Sequence, residues 1–363
     1  MYALMVVIVV LLAGALLSTG GGAGATLAIV LAVLPVPIYV LAVLALDRME
    51  PEPARLMGWA FLWGATVATF LAGFANELGG AYLAAFFNTS RGEDRLALTV
   101  VLVAPFVEET LKAAALAMLA IRRRDEFDGP VDGIVYGVLV GLGFAMTENA
   151  LYYVDAFAQG GAGQATGLFV LRGVFTGFSH PLYTSLTGIG IGLAAARPWR
   201  MHSLVYPAAG LASGIALHHL WNYAAMSAAQ NDGSLLLAVY FGLMIPAAVA
   251  WLWFALRAMR AEGRLIAAQL APDVAAGLLP AGLHAELSTL TGRTAGARFA
   301  LRRGGVVAMR ARRAFHVAAS EEGLRRWRVA LGREVGVAAR HEYLGAFMPP
   351  LPGASAPRPP PLA

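Results

Sequence analysis

The chain has 363 residues, 58% hydrophobic and only 13% charged, against roughly 45–50% and 25% in an average soluble domain; this excludes an ordinary soluble globule and predicts a polytopic membrane protein. Cysteine is absent, which excludes disulfides, thiol nucleophiles and cysteine metal sites. The net charge of +5 is uneven: residues 257–363 hold 16 arginines against 7 acidic residues, and the preceding chain is net acidic.

At about 20 apolar residues per crossing, spans are predicted near 2–18, 26–46, 57–76, 96–121, 131–153, 168–196, 204–228 and 235–256. The expected fold is therefore all-α, a membrane bundle of about eight transmembrane helices. A lipid-exposed backbone must satisfy its own hydrogen bonds, and the alternation of a barrel is missing. Arginines cluster in the loops at 47–56, 122–130 and 197–203 and beyond 257. The positive-inside rule then puts both termini in the cytoplasm of a multi-pass cell-membrane protein. Residues 1–256 are expected to form the membrane core. Residues 257–348 would form a small basic cytoplasmic appendage with short helices near 258–271 and 321–334. The proline-rich segment 349–363 is expected to be disordered.

The fourth span, LALTVVLVAPFVEETLKAAALAMLAI, carries Glu108, Glu109 and the chain's single lysine, Lys112. Each such charge near mid-membrane costs about 2.5–3.5 kcal/mol on insertion scales, so a mere anchor would not retain them. Further polar groups follow: Glu148 in FAMTENA, His180 in GFSHPLYT, and His218, His219 and Asn222 in LHHLWN. At 1.5 Å per residue, Glu108, His180 and His218 lie roughly 15–18 Å from the outer edge of their spans, and Glu148 and Asn222 roughly 8–9 Å. Four helices thus bring carboxylates, imidazoles and an amide to one stratum. Residues four apart share a helix face, so Glu108 pairs with Lys112, Phe144 with Glu148 and His218 with Asn222. A carboxylate base, an aligning imidazole and amide donors are the parts that peptide hydrolysis requires. A structural ion pair in span four, or His180 satisfying a carbonyl freed by Pro181, are the non-catalytic alternatives. His219 points about 100° from His218 and is expected to pack. Asp128 and Asp132 are expected to cap span five.

In sequence order, Glu-Glu-x-x-Lys at 108–112, FDGPVDGIVYG at 127–137, Phe-x-x-x-Glu at 144–148, His180 and His-x-x-x-Asn at 218–222 resemble the PrsW-type intramembrane proteases, relatives of the CAAX-processing glutamate proteases. The resemblance covers roughly residues 26–256. It implies an intramembrane protease of glutamic type, without cofactor or metal, cleaving a membrane protein such as an anti-sigma factor. Glu108 would be the base and His218 with Asn222 the oxyanion donors. The CAAX relatives carry Phe-x-x-x-His where this chain has Phe-x-x-x-Glu, so His180 becomes the candidate imidazole partner of the base. Two other readings compete: a proton-coupled transporter or channel with a Glu/His relay, and a zinc protease using Glu148, His180 and His218, for which no H-E-x-x-H is present. Expected partners are the membrane-protein substrate and, for the scattered tail arginines, anionic lipids rather than nucleic acid.

Overall fold

The computed structural model describes residues 2–89, 91–198, 200–230, 233–332 and Tyr343. Every regular element among them is helical; the proline-rich segment 349–363 lies outside the described residues. The chain forms two compact units, Met1–Asp47 with Glu52–Leu256, and Arg48–Pro51 with Arg257–Ala363.

In the first unit, α1 (Tyr2–Val33) breaks at Gly21, whose φ of 60° leaves the helical region, and α2 (Val36–Leu46) starts at Pro35. Helix α3 (Ala54–Phe86) contains a π-helical turn at Trp63–Ala68. Helix α4, residues 92–122, contains another at Thr99–Val103. Helix α5 (Pro130–Phe169) turns a corner at Gly160–Gly161, where Gly161 has a φ of 70° that favours glycine. It runs on into a π-helical turn, Val170–Phe175. Helices α6 (Ser179–Ala195), α7 (Val205–Gln230) and α8 (Ser234–Ala275) follow.

Among the described residues, four stretches are long and apolar enough to cross a membrane: Ala3–Leu46, Ala54–Phe86, Pro130–Ala195 and Ser234–Ala275. The first and third are 44 and 66 residues long and contain the glycine breaks, whereas one crossing takes about 20 residues. The most apolar window of Pro130–Ala195 is 83% buried and that of Ser234–Ala275 only 6%. Helices α5 and α6 therefore occupy the centre and α8 the rim, where Phe241, Val249 and Trp253 face outward.

Small residues make that centre possible. A Cβ on Gly133 would stand 2.0 Å from the Gly188 carbonyl oxygen, and one on Gly141 would stand 2.4 Å from that of His180, so α5 and α6 meet backbone to backbone. Gly64 and Gly143 bring α3 equally close to α5. Around this seam, Phe144 packs with Ala68, Ala72, Val107 and Leu111, while Tyr183 and Leu182 pack with Met244 and Trp221. Asp132 caps α5, its Oδ2 accepting from the backbone N–H groups of Asp128 (2.8 Å) and Gly129 (2.6 Å).

The second unit is more helical than its sequence suggests. In place of two short helices it contains the end of α8, then α9 (Ala281–Leu287) and the long α10 (Leu290–Ala330), broken at Gly304–Gly305. Frequent arginines mask the apolar periodicity of α10, but Phe315, Ala319 and Leu324 are buried. Buried Arg293 donates to the carbonyls of Met49 (2.7 Å) and Leu287 (3.1 Å) and to Ser320 Oγ (2.8 Å).

Candidate active site

Helix α4 presents Glu108, Glu109 and Lys112 to the interior, and all three are buried. The Lys112 ammonium lies 2.8 Å from Glu109 Oε1, 3.0 Å from His180 Nδ1 and 3.6 Å from the centroid of the Phe144 ring. An ammonium can only donate, so His180 Nδ1 is an acceptor and its proton sits on Nε2. That Nε2–H meets Glu148 Oε2 at 2.9 Å. Both nitrogens of His180 are thereby engaged.

The two adjacent glutamates differ in their surroundings. Glu109 is saturated: its Oε1 also faces His218 Nδ1 at 3.2 Å, and its Oε2 accepts from Thr184 Oγ1 at 3.1 Å. Glu108 Oε1 accepts from Asn76 Nδ2 at 3.3 Å, but its buried Oε2 has no hydrogen-bond partner among the described residues. Lys112 Nζ, 3.6 Å from that oxygen, is within ion-pair range but beyond hydrogen-bond distance. His218 Nε2 lies 3.9 Å from the same oxygen. Because the Glu109 carboxylate orders the proton onto His218 Nδ1, Nε2 turns a lone pair towards Glu108. The His218 ring is fixed by stacking on Tyr183, centroids 5.0 Å apart.

Glu108, Glu148, His180, His218 and Asn222 line one cavity of about 630 Å³, with Asn76, Tyr152 and Arg172. Glu109 and Lys112 stand behind this wall. The structure thus brings together Glu108, Glu109, Lys112, Glu148, His180, His218 and Asn222 from the four predicted spans, with one change of neighbour: the imidazole nitrogen facing Glu108 Oε2 belongs to His218. Asn222 Nδ2 donates to the Val100 carbonyl at 2.9 Å, and His219 contacts that of Val101 at 2.7 Å. Both carbonyls belong to the π-helical turn Thr99–Val103, whose irregular hydrogen bonding presents them to side chains.

Sequence reasoning missed three contributors. Arg172, which donates to Glu148 Oε2 at 2.6 Å, falls inside a predicted span, and an arginine there was itself a signal. Asn76 closes a predicted span and so read as a boundary residue. Thr184, four residues after His180, carries no distinctive signal on a helix.

A cation could also be held here. One oxygen of Glu108 and one nitrogen each of His180 and His218 lie within 4.8 Å of one another, and a carboxylate with two imidazoles is a common catalytic zinc set. The unpartnered Glu108 Oε2 and the lone pair on His218 Nε2 fit that role. The third ligand would require His180 to release Lys112 or Glu148. Glu108 takes the place that the sequence reading gave Glu148, because Glu148 Oε2 is already bonded to Arg172 and His180.

Comparison with known proteins gives a consistent result. The family described as "PrsW family intramembrane metalloprotease" matches residues 52–252. The chain is 33% identical over 122 residues to "Protease PrsW" of Clostridioides difficile (strain 630), 34% of this chain and 48% of that protein. It is 26% identical over 223 residues to "Protease PrsW" of Bacillus subtilis (strain 168), 58% of this chain and 84% of that protein. A relative of the same name in Geobacillus kaustophilus (strain HTA426) is 33% identical over 109 residues, 27% of this chain and 44% of that protein. The match thus spans about half of the C. difficile protein and most of the B. subtilis one. No solved structure matches the chain.

Proposed function

Because the chain belongs to the PrsW family of intramembrane proteases, we propose that it hydrolyses a peptide bond of another membrane protein, with water activated at Glu108. The observation that carries this reading is the buried, unpartnered Oε2 of Glu108, facing the lone pair of His218 Nε2 across 3.9 Å in a cavity-lining position. A burial of that kind costs about 1–3 kcal/mol and is suited to a group that receives its partner with the substrate.

A water donating to Glu108 Oε2 and His218 Nε2 has its oxygen free to attack the scissile carbonyl. Its proton passes to Glu108 as the C–O bond forms, and then to the departing amine nitrogen as the C–N bond breaks. Asn222 uses one amide hydrogen on Val100; the second is the donor for the developing oxyanion. Glu109 and Lys112 hold His218 and His180 in place. In this reading eight crossings leave both termini in the cytoplasm, the chain from Arg257 is a cytoplasmic appendage whose arginines meet anionic lipid, and an anti-sigma factor is the substrate the resemblance implies.

The donor set and the family's description support a second version, in which Glu108, His180 and His218 hold a zinc-like ion. Such an ion supplies a bound water ionising near neutral pH. The chain's own residues would still orient the substrate, with Glu109 fixing the His218 ring and Asn222 donating to the carbonyl.

The test is cleavage of single-span membrane proteins in reconstituted vesicles by wild type and Glu108→Gln, with metal analysis of the same preparations. Wild-type turnover in the variant would remove Glu108 from the mechanism. Activity retained in metal-free protein would remove the second version; a stoichiometric metal lost together with activity would favour it. Proton-coupled solute flux without cleavage would replace hydrolysis by transport.

A further inference from the structure

We propose that Arg172 is a positioning residue: it fixes the Glu148 carboxylate so that His180 is held in a single tautomer between Glu148 and Lys112. The proposal rests on the hydrolytic reading above for its consequence in catalysis, but its structural claim can be tested without any substrate.

Arg172 lies on the π-helical turn Val170–Phe175, beyond the Gly160–Gly161 corner, and the corner returns it to the helix it came from. There it grips one turn of α5 at three points. Nη2 donates to Glu148 Oε2 at 2.6 Å, Nε donates to Asn149 Oδ1 at 2.8 Å, and the guanidinium lies 4.0 Å above the centre of the Tyr152 ring. Residue 152 shares a helix face with 148 (i,i+4) and with 149 (i,i+3), so the planar guanidinium over Tyr152 has one orientation that satisfies all three. The oxygen it fixes also accepts from His180 Nε2.

Consequently a hydrogen-bonded chain runs from Arg172 through Glu148, His180, Lys112 and Glu109 to His218, whose Nε2 faces Glu108. Without Arg172, Glu148 becomes a part-buried carboxylate that has lost the guanidinium 2.6 Å away, free to rotate. His180 then loses one of the two partners that fix its Nε2–H form, Lys112 on Nδ1 being the other, and its ring is free to turn. This also accounts for the glutamate at the end of Phe-x-x-x-Glu: it holds an imidazole supplied by another helix, and Arg172 makes that carboxylate tenable.

The closing experiment compares Arg172→Met, Arg172→Lys, Glu148→Gln, the double variant Arg172→Met/Glu148→Gln and the charge swap Arg172→Glu/Glu148→Arg, all in the full chain. The first readout is ¹⁵N NMR of the histidines. Wild type should show His180 protonated at Nε2 alone, and Arg172→Met should show exchange between tautomers, with Arg172→Lys restoring the single form at least partly. In cleavage, Arg172→Met should lose on the order of 10²-fold in kcat, the scale of a small misplacement of a reacting group, with KM little changed. The double variant should be no worse than either single one. The swap should restore thermal stability but not cleavage, because His180 then faces a donor. Recovery of cleavage in the swap would reduce the pair to a structural ion bridge, and additive losses would mean that Arg172 acts independently of Glu148. An unchanged His180 tautomer in Arg172→Met would overturn the proposal outright. Absence of cleavage in wild type would instead defeat the hydrolytic reading, leaving the tautomer result to decide this one.

Discussion

Both units bury charge among helices, yet they do so in different ways. In the second unit, Arg326 is bonded to Asp273 (2.8 Å) and Glu322 (2.7 Å), Arg325 to Glu322 (2.7 Å), and Arg293 to two carbonyls and a hydroxyl. These groups are locked to one another and tie segments of the chain together. In the first unit the same holds for Glu109, Lys112, Glu148 and Arg172, but stops at cavity-lining Glu108, where one oxygen is left without a hydrogen-bond partner among the described residues. Buried charge is therefore a weak sign of chemistry; the informative feature is a carboxylate oxygen on a cavity-lining residue that the hydrogen-bond network of the described residues does not fill.

The sharpest way to break this comparison is to remove one group from each side. Glu108→Gln should lower cleavage by about 10²–10⁴-fold, as loss of a general base does, with an unchanged melting temperature. Arg293→Met should do the reverse: leaving the Leu287 carbonyl without its guanidinium donor, and the Met49 carbonyl with Ser320 Oγ alone, should destabilise the second unit by about 1–3 kcal/mol, while cleavage per folded molecule stays at the wild-type level. Loss of cleavage in folded Arg293→Met would show that the two kinds of site are coupled.

A finer division is expected within α7. Asn222→Ala should cost one to two orders of magnitude in kcat if its spare amide hydrogen serves the oxyanion. His219→Ala, which removes only a contact to the Val101 carbonyl, should change cleavage by a few-fold at most and stability by about 0.5–1.5 kcal/mol. Equal kinetic losses in the two variants would mean that both residues merely pin α7 to the π-helical turn.

The smallest effect should be one of pH. Burial, followed by the nearby Arg293 and Arg312 cations, holds His316 down at about 4, against the Glu286 carboxylate 3.1 Å from its Nε2. An imidazole that resists protonation in the folded state contributes stability above its unfolded value of 6.5, and this is lost as pH falls from there towards about 4. Limited proteolysis of the second unit in the full chain should therefore accelerate over that window, and His316→Gln should flatten the dependence.

The expensive charges on α4 were legible in the sequence, and so were His180 and His218, because each departs from an apolar background. Other features were hidden for physical reasons. Which glycine meets which carbonyl depends on how α5 and α6 cross, and that is set by packing far from any single motif. Arg172 serves Glu148 only because the Gly160–Gly161 corner folds the chain back, a connection that spacing along the sequence does not encode. In α10, arginines interrupt the apolar stripe and a glycine pair breaks its register, so a helix held together by tertiary contacts looked like fragments.

The glycine seam between α5 and α6 has a consequence for how the protein tolerates change. At Gly133 and Gly141 an added methyl would overlap a main-chain oxygen of the facing helix, and backbone cannot turn aside as a side chain can. The helices would have to separate, and Glu148 and His180, carried on opposite sides of the seam, would move apart with them. An unbiased screen for inactive variants should therefore return alanines at these glycines together with substitutions of Glu108. The two classes will be told apart only by asking whether His180 has kept its neighbours.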